Sequence, residues 1–261
     1  LAIRERCIFA RDVDINMEST NAIILSWNNL NVIKDTIRRL RREADVIVVD
    51  NGSTDGSKLY LADLGDKITY IQMGENKGSS VARNMAISRV EGDFFLIDGD
   101  IKYVPGSIKY LKEILEKYPE CGIIGVNDPQ RVALTGMNGT LNEDEADLVA
   151  KKPDKVYKGF PMAWTQYGLF RNTGQKFPEE YPFDRAGMGW EDDFYYWQMK
   201  EEYNLESYFI TKPLYYHDAH SGHRELAKLK QSTLEEERAK SFHDRFGFVN
   251  WREKPQKIEI V

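Results

Sequence analysis

The feature that most limits what this chain can fold into is an alternation, across its first half, of short apolar runs with segments of helical spacing. The runs are 21–27 (NAIILSW), 44–50 (ADVIVVD), 67–73 (KITYIQM) and 92–98 (GDFFLID), each β-branched or aromatic as buried strands are. Between them Leu30, Ile33, Ile37 and Leu40 fall three and four apart, with basic residues on the opposite face. Val81, Ala82, Met85, Ala86 and Val90 repeat that spacing, as do Ile108, Leu111, Ile114 and Leu115. A fifth run, 121–126 (CGIIGV), predicts a further strand. Repeated strand–helix–strand units predict an α/β fold, a mostly parallel sheet with helices on both faces. Ligands of such sheets bind beyond the carboxyl ends of the strands.

Those ends are polar here. The first run leads into Ser26, Trp27, Asn28 and Asn29, the second into Asp50, Asn51, Gly52, Ser53, Thr54 and Asp55, and the fourth into Asp98, Gly99 and Asp100. Side chains alternate along an extended strand, so Asp98 and Asp100 can face the same way, with Gly99 removing bulk between them. Two close carboxylates repel unless a proton or a cation intervenes. Oxygen ligands of this kind suit Mg²⁺ or Mn²⁺ held jointly with substrate phosphates. A plain turn competes, because Asp-Gly is a common turn dipeptide. Capping of the following helix likewise competes for Ser53 and is preferred for Asp55.

The second half is less regular. Residues 190–203 (WEDDFYYWQMKEEY) predict a helix, 134–147 a mobile loop, and 224–245 a charged helix that is solvated or packed rather than laid on a membrane. A chain of 261 residues, 41% of them hydrophobic, can bury one sizeable core. The expected organisation is an extension over 1–20, a domain over 21–223 with halves meeting near 126, and a helical tail over 224–261. A net charge of −6 does not by itself invite polyanions, and the basic run 38–42 reads as a solvated face. Cys7 and Cys121 alone supply neither a disulfide framework nor a thiolate metal cluster. No apolar run approaches the roughly 20 residues that span a bilayer. A soluble, cytoplasmic protein is therefore expected, although the chain opens on Leu1 rather than Met.

Read together, IILSWNN, VIVVDNGSTDGS, NKGSSVARNMAI and FFLIDGD, in this order and spacing, closely resemble glycosyltransferase family 2 with its Rossmann-like GT-A fold. The later GMGWEDDFYYW and PLYYHDAHS match further landmarks of that family, so the resemblance covers about 20–223. It implies an inverting enzyme that takes a sugar from a nucleoside diphosphate, UDP by family weight, with Mn²⁺ or Mg²⁺ as cofactor. It implies nucleotide binding by Ser26, Trp27, Asp50 and Asn51, with Asn28, Ser53 and Gly99 on the same strand ends. Lys77 and Arg83 are implied near base, ribose or phosphates, Asp98 near the ribose, and Asp100 on the metal. Glu191 and Asp192 map onto the acidic motif that supplies the general base, and His217 onto a third metal ligand. Because EDDF runs its acids together, Asp193 rivals Asp192 as base. Gly189 and Trp190 are implied at the acceptor pocket, where an indole can pack on a sugar face.

Simpler roles compete for several of these residues. Three acids at a helix start are favoured by the macrodipole alone. Arg83 can be a surface helix residue. His217, His220 and His223 fall three apart, a spacing that tempts a zinc reading without establishing one. A nucleotidyltransferase would need a glycine-rich loop after the first strand, where SWNNLNVIK has no glycine. Processive polymerases of the family carry a Q-x-x-R-W motif and membrane spans, which this sequence lacks. The expected acceptor is a hydroxyl on a glycan, a lipid-linked glycan or a protein. Nucleic acid with hydroxylated bases, and a non-catalytic nucleotide-sugar-binding module, are the alternatives.

Overall fold

The computed structural model describes residues 19–126, 155–159, 166–179, 191–212, 215–217, 240, 243–246 and 259–261. Its first part runs β1 (Thr20–Ser26), α1 (Leu30–Leu40), β2 (Ala44–Asp50), α2 (Ser57–Asp63), β3 (Thr69–Gln72), α3 (Ser79–Ile87) and β4 (Phe94–Asp98). There follow β5 (Ile101–Tyr103), α4 (Ser107–Lys117), β6 (Cys121–Val126), β7 (Val156–Lys158) and β8 (Tyr167–Phe170). The last elements are α5 (Glu191–Tyr203), β9 (Glu206–Ile210), β10 (Tyr215–His217) and β11 (Glu259–Ile260).

Among the described residues one sheet has the order β11-β7-β9-β6-β8-β4-β1-β2-β3, and β10 pairs with β5 in a separate two-stranded sheet. β3, β2, β1 and β4 are parallel neighbours, as the alternation predicts. β8 enters antiparallel between β4 and β6, while β7 is antiparallel to β9 and β11 to β7. The strand order reverses between β1 and β4, where the chain leaves β3 and returns on the other side of β1. A crevice opens at the carboxyl ends beside such a switch point.

Alternation along the strands builds two cores. Ala22, Ile24, Val46, Val48, Phe95 and Ile97 face α1 and α4, which contribute Ile33, Ile37, Leu40, Leu111 and Leu115. Ile23, Ile47, Val49, Phe94 and Leu96 face the opposite way, toward Ala82 and Ala86 of α3 and Tyr195, Trp197 and Met199 of α5. A strand buried on both faces must be apolar at every position, which explains the unbroken runs. The basic run follows the solvated reading: Arg38 and Arg39 both pair with Asp35, and Arg41 and Arg42 are exposed.

Two differences from the sequence reading stand out. β5, β7, β8 and β9 carry no independent signal in the sequence, because they are short or bracketed by irregular chain. Within the tail expected to be helical, Glu259–Ile260 instead pair with Lys158 and Tyr157 and extend the sheet at its edge. The loop at 134–147, most of the helix at 224–245 and most of the N-terminal extension lie outside the described residues. Among the described residues no helix is long and apolar enough to cross a membrane.

Candidate active site

The loop after β1 and the loop after β2 are laced together. Asn28, in the left-handed region at φ 55°, donates its amide to Ser53 Oγ at 2.9 Å and accepts the Thr54 amide on Oδ1 at 2.7 Å. Asp55 Oδ2 accepts the Leu30 amide at 2.9 Å and Oδ1 the Ser57 amide at 3.0 Å. It therefore satisfies orphan amides at the starts of both α1 and α2, a wider capping role than the single helix expected. Burial alone would raise its carboxyl, but the hydrogen bonds from Ser57 and the Leu30 amide outweigh burial and hold it below the ordinary range.

Asp50 is buried, with the Ser53 amide on Oδ1 at 2.9 Å and the Tyr70 hydroxyl on Oδ2 at 3.2 Å. Burial, then the Asp50 charge, pushes the Tyr70 phenol up to about 12. Asn51 is a clip. Its Oδ1 accepts the Lys77 amide at 2.9 Å, and its Nδ2 donates to Asn76 Oδ1 at 3.0 Å and to the Gly78 carbonyl at 3.1 Å. Gly52, at φ +83°, lets the backbone of Glu75 and Asn76 approach so closely that a Cβ would sit 2.6 Å from Glu75 C. Ser26 is fully buried, yet its Oγ has no hydrogen-bond partner among the described residues.

At the end of β4, Gly99 donates its amide to the Leu25 carbonyl at 2.7 Å. A Cβ on Gly99 would lie 2.8 Å from Leu25 O and from Asn29 Nδ2, so only glycine lets this turn press against β1. Asp98 is about one-fifth exposed, while Asp100 is buried. Asp98 is pushed up to about 6, chiefly by burial and further by repulsion from Asp100 and Asp192, against the pull of Arg83. The two carboxyls thus sense each other, and their all-oxygen donor set suits a hard divalent cation. The β10 backbone brings His217 opposite Ile101, one residue beyond Asp100, though its side chain lies outside the described residues. Among the described residues no set of three His, Cys, Asp or Glu side chains is grouped as a metal cage.

The other wall is the start of α5. Glu191, Asp192 and Asp193 fill its first turn, where the helix dipole favours negative charge. Glu191 is buried and accepts the Ser79 hydroxyl on Oε1 at 2.8 Å. Asp192 is about one-third exposed, and its Oδ1 accepts Arg83 Nη1 at 3.1 Å. Arg83 is not the surface residue that helical spacing would allow. It is 4% exposed, with Nη2 3.4 Å from Asp98 Oδ1 and Nη1 3.6 Å from Glu191 Oε1. Burial alone would lower its guanidinium, but Asp192, Asp98 and Glu191 outweigh burial and hold it above its ordinary value. Burial and repulsion from Asp192 push Glu191 up to about 7, and burial with both neighbours pushes Asp193 well above the carboxylate range.

The structure thus draws Asp98, Glu191 and Asp192 together around Arg83, and leaves Asn51 and Ser53 bracing loops. Gly189, Trp190, His220 and His223 lie outside the described residues. Sequence reasoning missed Ser79 and Tyr70. Ser79 sits four residues before Arg83, a spacing that would have placed both on one helix face, but its partner is 112 residues away.

The chain has relatives. The family model for glycosyl transferase family 2 matches residues 22–176. The putative teichuronic acid biosynthesis glycosyltransferase TuaG of Bacillus subtilis (strain 168) is 31% identical over 81 residues, 28% of this chain and 32% of TuaG. Mannosyltransferase PcManGT from Pyrobaculum calidifontis, in complex with GDP-Man and Mn²⁺, superposes with a TM-score of 0.53 at 17% identity, over 75% of this chain and 55% of PcManGT. S. aureus TarS 1–349 in complex with UDP gives 0.52 at 17% identity, over 88% of this chain and 72% of TarS 1–349. The chain thus spans a third of TuaG and about half of PcManGT, and at 17% identity the structural likenesses carry the fold, which is GT-A. Because the family match covers more than half the chain, from β1 through the Asp98–Asp100 edge to β8, the chain belongs to glycosyl transferase family 2.

Proposed function

We propose that this chain is an inverting, metal-dependent glycosyltransferase that moves one sugar from a nucleoside-diphosphate sugar to an acceptor hydroxyl. The observation that carries the reading is convergence: Asp98 from the donor edge and Asp192 from the facing helix meet on one guanidinium, at 3.4 and 3.1 Å. PcManGT holds GDP-Man and Mn²⁺ and TarS holds UDP, which supports a nucleotide-sugar donor without choosing the base. TuaG, assigned to teichuronic acid biosynthesis, supports a glycan acceptor.

In this reading the nucleotide lies across the ends of β1, β2 and β4, along Ser26, Trp27, Asp50 and Asp98. Asp98 and Asp100, with His217 as a third ligand, would hold the cation, which supplies charge neutralisation for the departing diphosphate. Asp192 takes the acceptor proton, a contribution of about 10²–10⁴-fold. It is the member of its trio that is both partly exposed and hydrogen-bonded to Arg83. Attack from the α5 side, opposite the leaving group, inverts the anomeric carbon. Gly189 and Trp190, just before α5, are proposed to border the acceptor.

A thermal-shift panel of UDP- and GDP-sugars with Mn²⁺, Mg²⁺ or EDTA tests this. A true donor at a hundredfold excess over Kd stabilises the fold by about 2.7 kcal/mol. A panel without a single metal-dependent shift would reject the reading.

A further inference from the structure

One side of α3 carries both contacts that dock the acidic start of α5. Ser79 Oγ donates to Glu191 Oε1 at 2.8 Å, and Arg83 Nη1 donates to Asp192 Oδ1 at 3.1 Å. Residues four apart on a helix lie one above the other, so consecutive acids of α5 meet consecutive rungs of α3. The second arm of the same guanidinium reaches Asp98 Oδ1 at 3.4 Å, at the end of β4. The guanidinium is itself supported from the side: its carbon lies 5.1 Å from the centre of the Phe177 ring. Phe177 is clipped to the next residue of α3, its amide donating to Asn84 Oδ1 and its carbonyl accepting Asn84 Nδ2, both at 2.8 Å.

We propose that Ser79 and Arg83 are positioning residues: together they aim Asp192 across the cleft at the donor edge, and Arg83 ties that aim to Asp98. The proposal rests on Asp192 being the general base and goes beyond it in assigning what orients the base. Glu191 is the anchor, buried and held by Ser79, and Asp192 is the exposed neighbour whose direction that anchor sets. A guanidinium suits the task because its rigid planar fork offers donors on separate nitrogens to two carboxylates, whereas an ammonium offers its three donors from one rotatable atom with no fixed plane.

The test uses Ser79→Ala, Arg83→Lys and Arg83→Gln. Hydrolysis of UDP-glucose with Mn²⁺ is followed, or of GDP-mannose where the nucleotide panel selects GDP, alongside calorimetry with UDP or GDP. Ser79→Ala is expected to lower kcat about tenfold while KM and nucleotide affinity stay within about twofold. Arg83→Lys is expected to keep the wild-type Tm more closely than Arg83→Gln yet to lose kcat as fully. Wild-type kcat in Ser79→Ala, or full rescue of kcat by Arg83→Lys, overturns the proposal. Should Arg83→Gln not fold, Ser79→Ala decides alone. If the wild type binds neither nucleotide, the function reading fails instead. Amide exchange across α5 then decides the docking: faster exchange in Ser79→Ala supports it and unchanged exchange overturns it.

Discussion

Arg83 Nη1 lies 3.1 Å from Asp192 Oδ1, although 109 residues separate them in the chain. The same guanidinium touches Asp98, so one buried cation joins the end of a central strand to the first turn of a helix from the other half of the fold. Removing one partner of such a buried network costs more than forming it gains, which makes each member a sensitive probe.

Asp192→Asn keeps the shape of the side chain and removes its basicity. Transfer or donor hydrolysis is expected to fall about 10²–10⁴-fold, with nucleotide affinity changed by less than about threefold. Asp193→Asn, measured in parallel by steady-state kinetics, is expected to retain most activity. The reverse pattern would assign the base to Asp193.

Asp100→Ala removes one of two adjacent carboxylates while leaving Arg83 its contact with Asp98. Nucleotide binding in Mn²⁺ is expected to weaken by about tenfold or more, whereas binding in EDTA changes little. Calorimetry under both conditions measures the difference. Equal losses with and without metal would detach Asp100 from the cation.

Gly99→Ala forces a methyl to within 2.8 Å of Leu25 O and Asn29 Nδ2. The carbonyl is held in place by the Gly99 amide itself, so strain of about 1–3 kcal/mol is expected. Denaturant unfolding should show the loss, and nucleotide affinity should drop with it. Gly92→Ala is no substitute control, since it is strained by its own φ of +79°.

Burial and Asp192 raise Glu191 from its ordinary 4.5 to about 7. Between those values the folded chain holds a proton that the unfolded chain has released. The associated stability is complete below about pH 4.5 and is lost as pH climbs through 7. Glu191→Gln, which keeps an acceptor for Ser79, is expected to flatten that decline. It should match wild type near pH 4.5 and exceed it by roughly 1–3 kcal/mol at pH 8. Urea unfolding at the two pH values checks this, and identical slopes would refute it.

The alternation of apolar runs and helical spacing determined the parallel β3-β2-β1-β4 block, because a strand covered on both faces must be apolar throughout and a parallel neighbour requires a crossover. The same runs ended in polar residues, which placed Ser26, Asp50 and Asp98 at the carboxyl ends of neighbouring parallel strands without any coordinates. These are local properties: period, length and the chemistry of a strand's last residue are written within a few positions of one another.

Tertiary structure alone decided the rest. That Asn51 clips Asn76–Gly78, and that Arg83 faces three carboxylates rather than solvent, depends on residues brought from 15 to 109 positions away. The same holds for β8, a four-residue strand whose place between β4 and β6 comes from pairing partners rather than its own pattern. An acid at a helix start looks alike in sequence whether the dipole or a guanidinium holds it. Only the packing of α5 against α3 separates the two, because long-range electrostatics is a property of the folded arrangement and leaves no period in the chain.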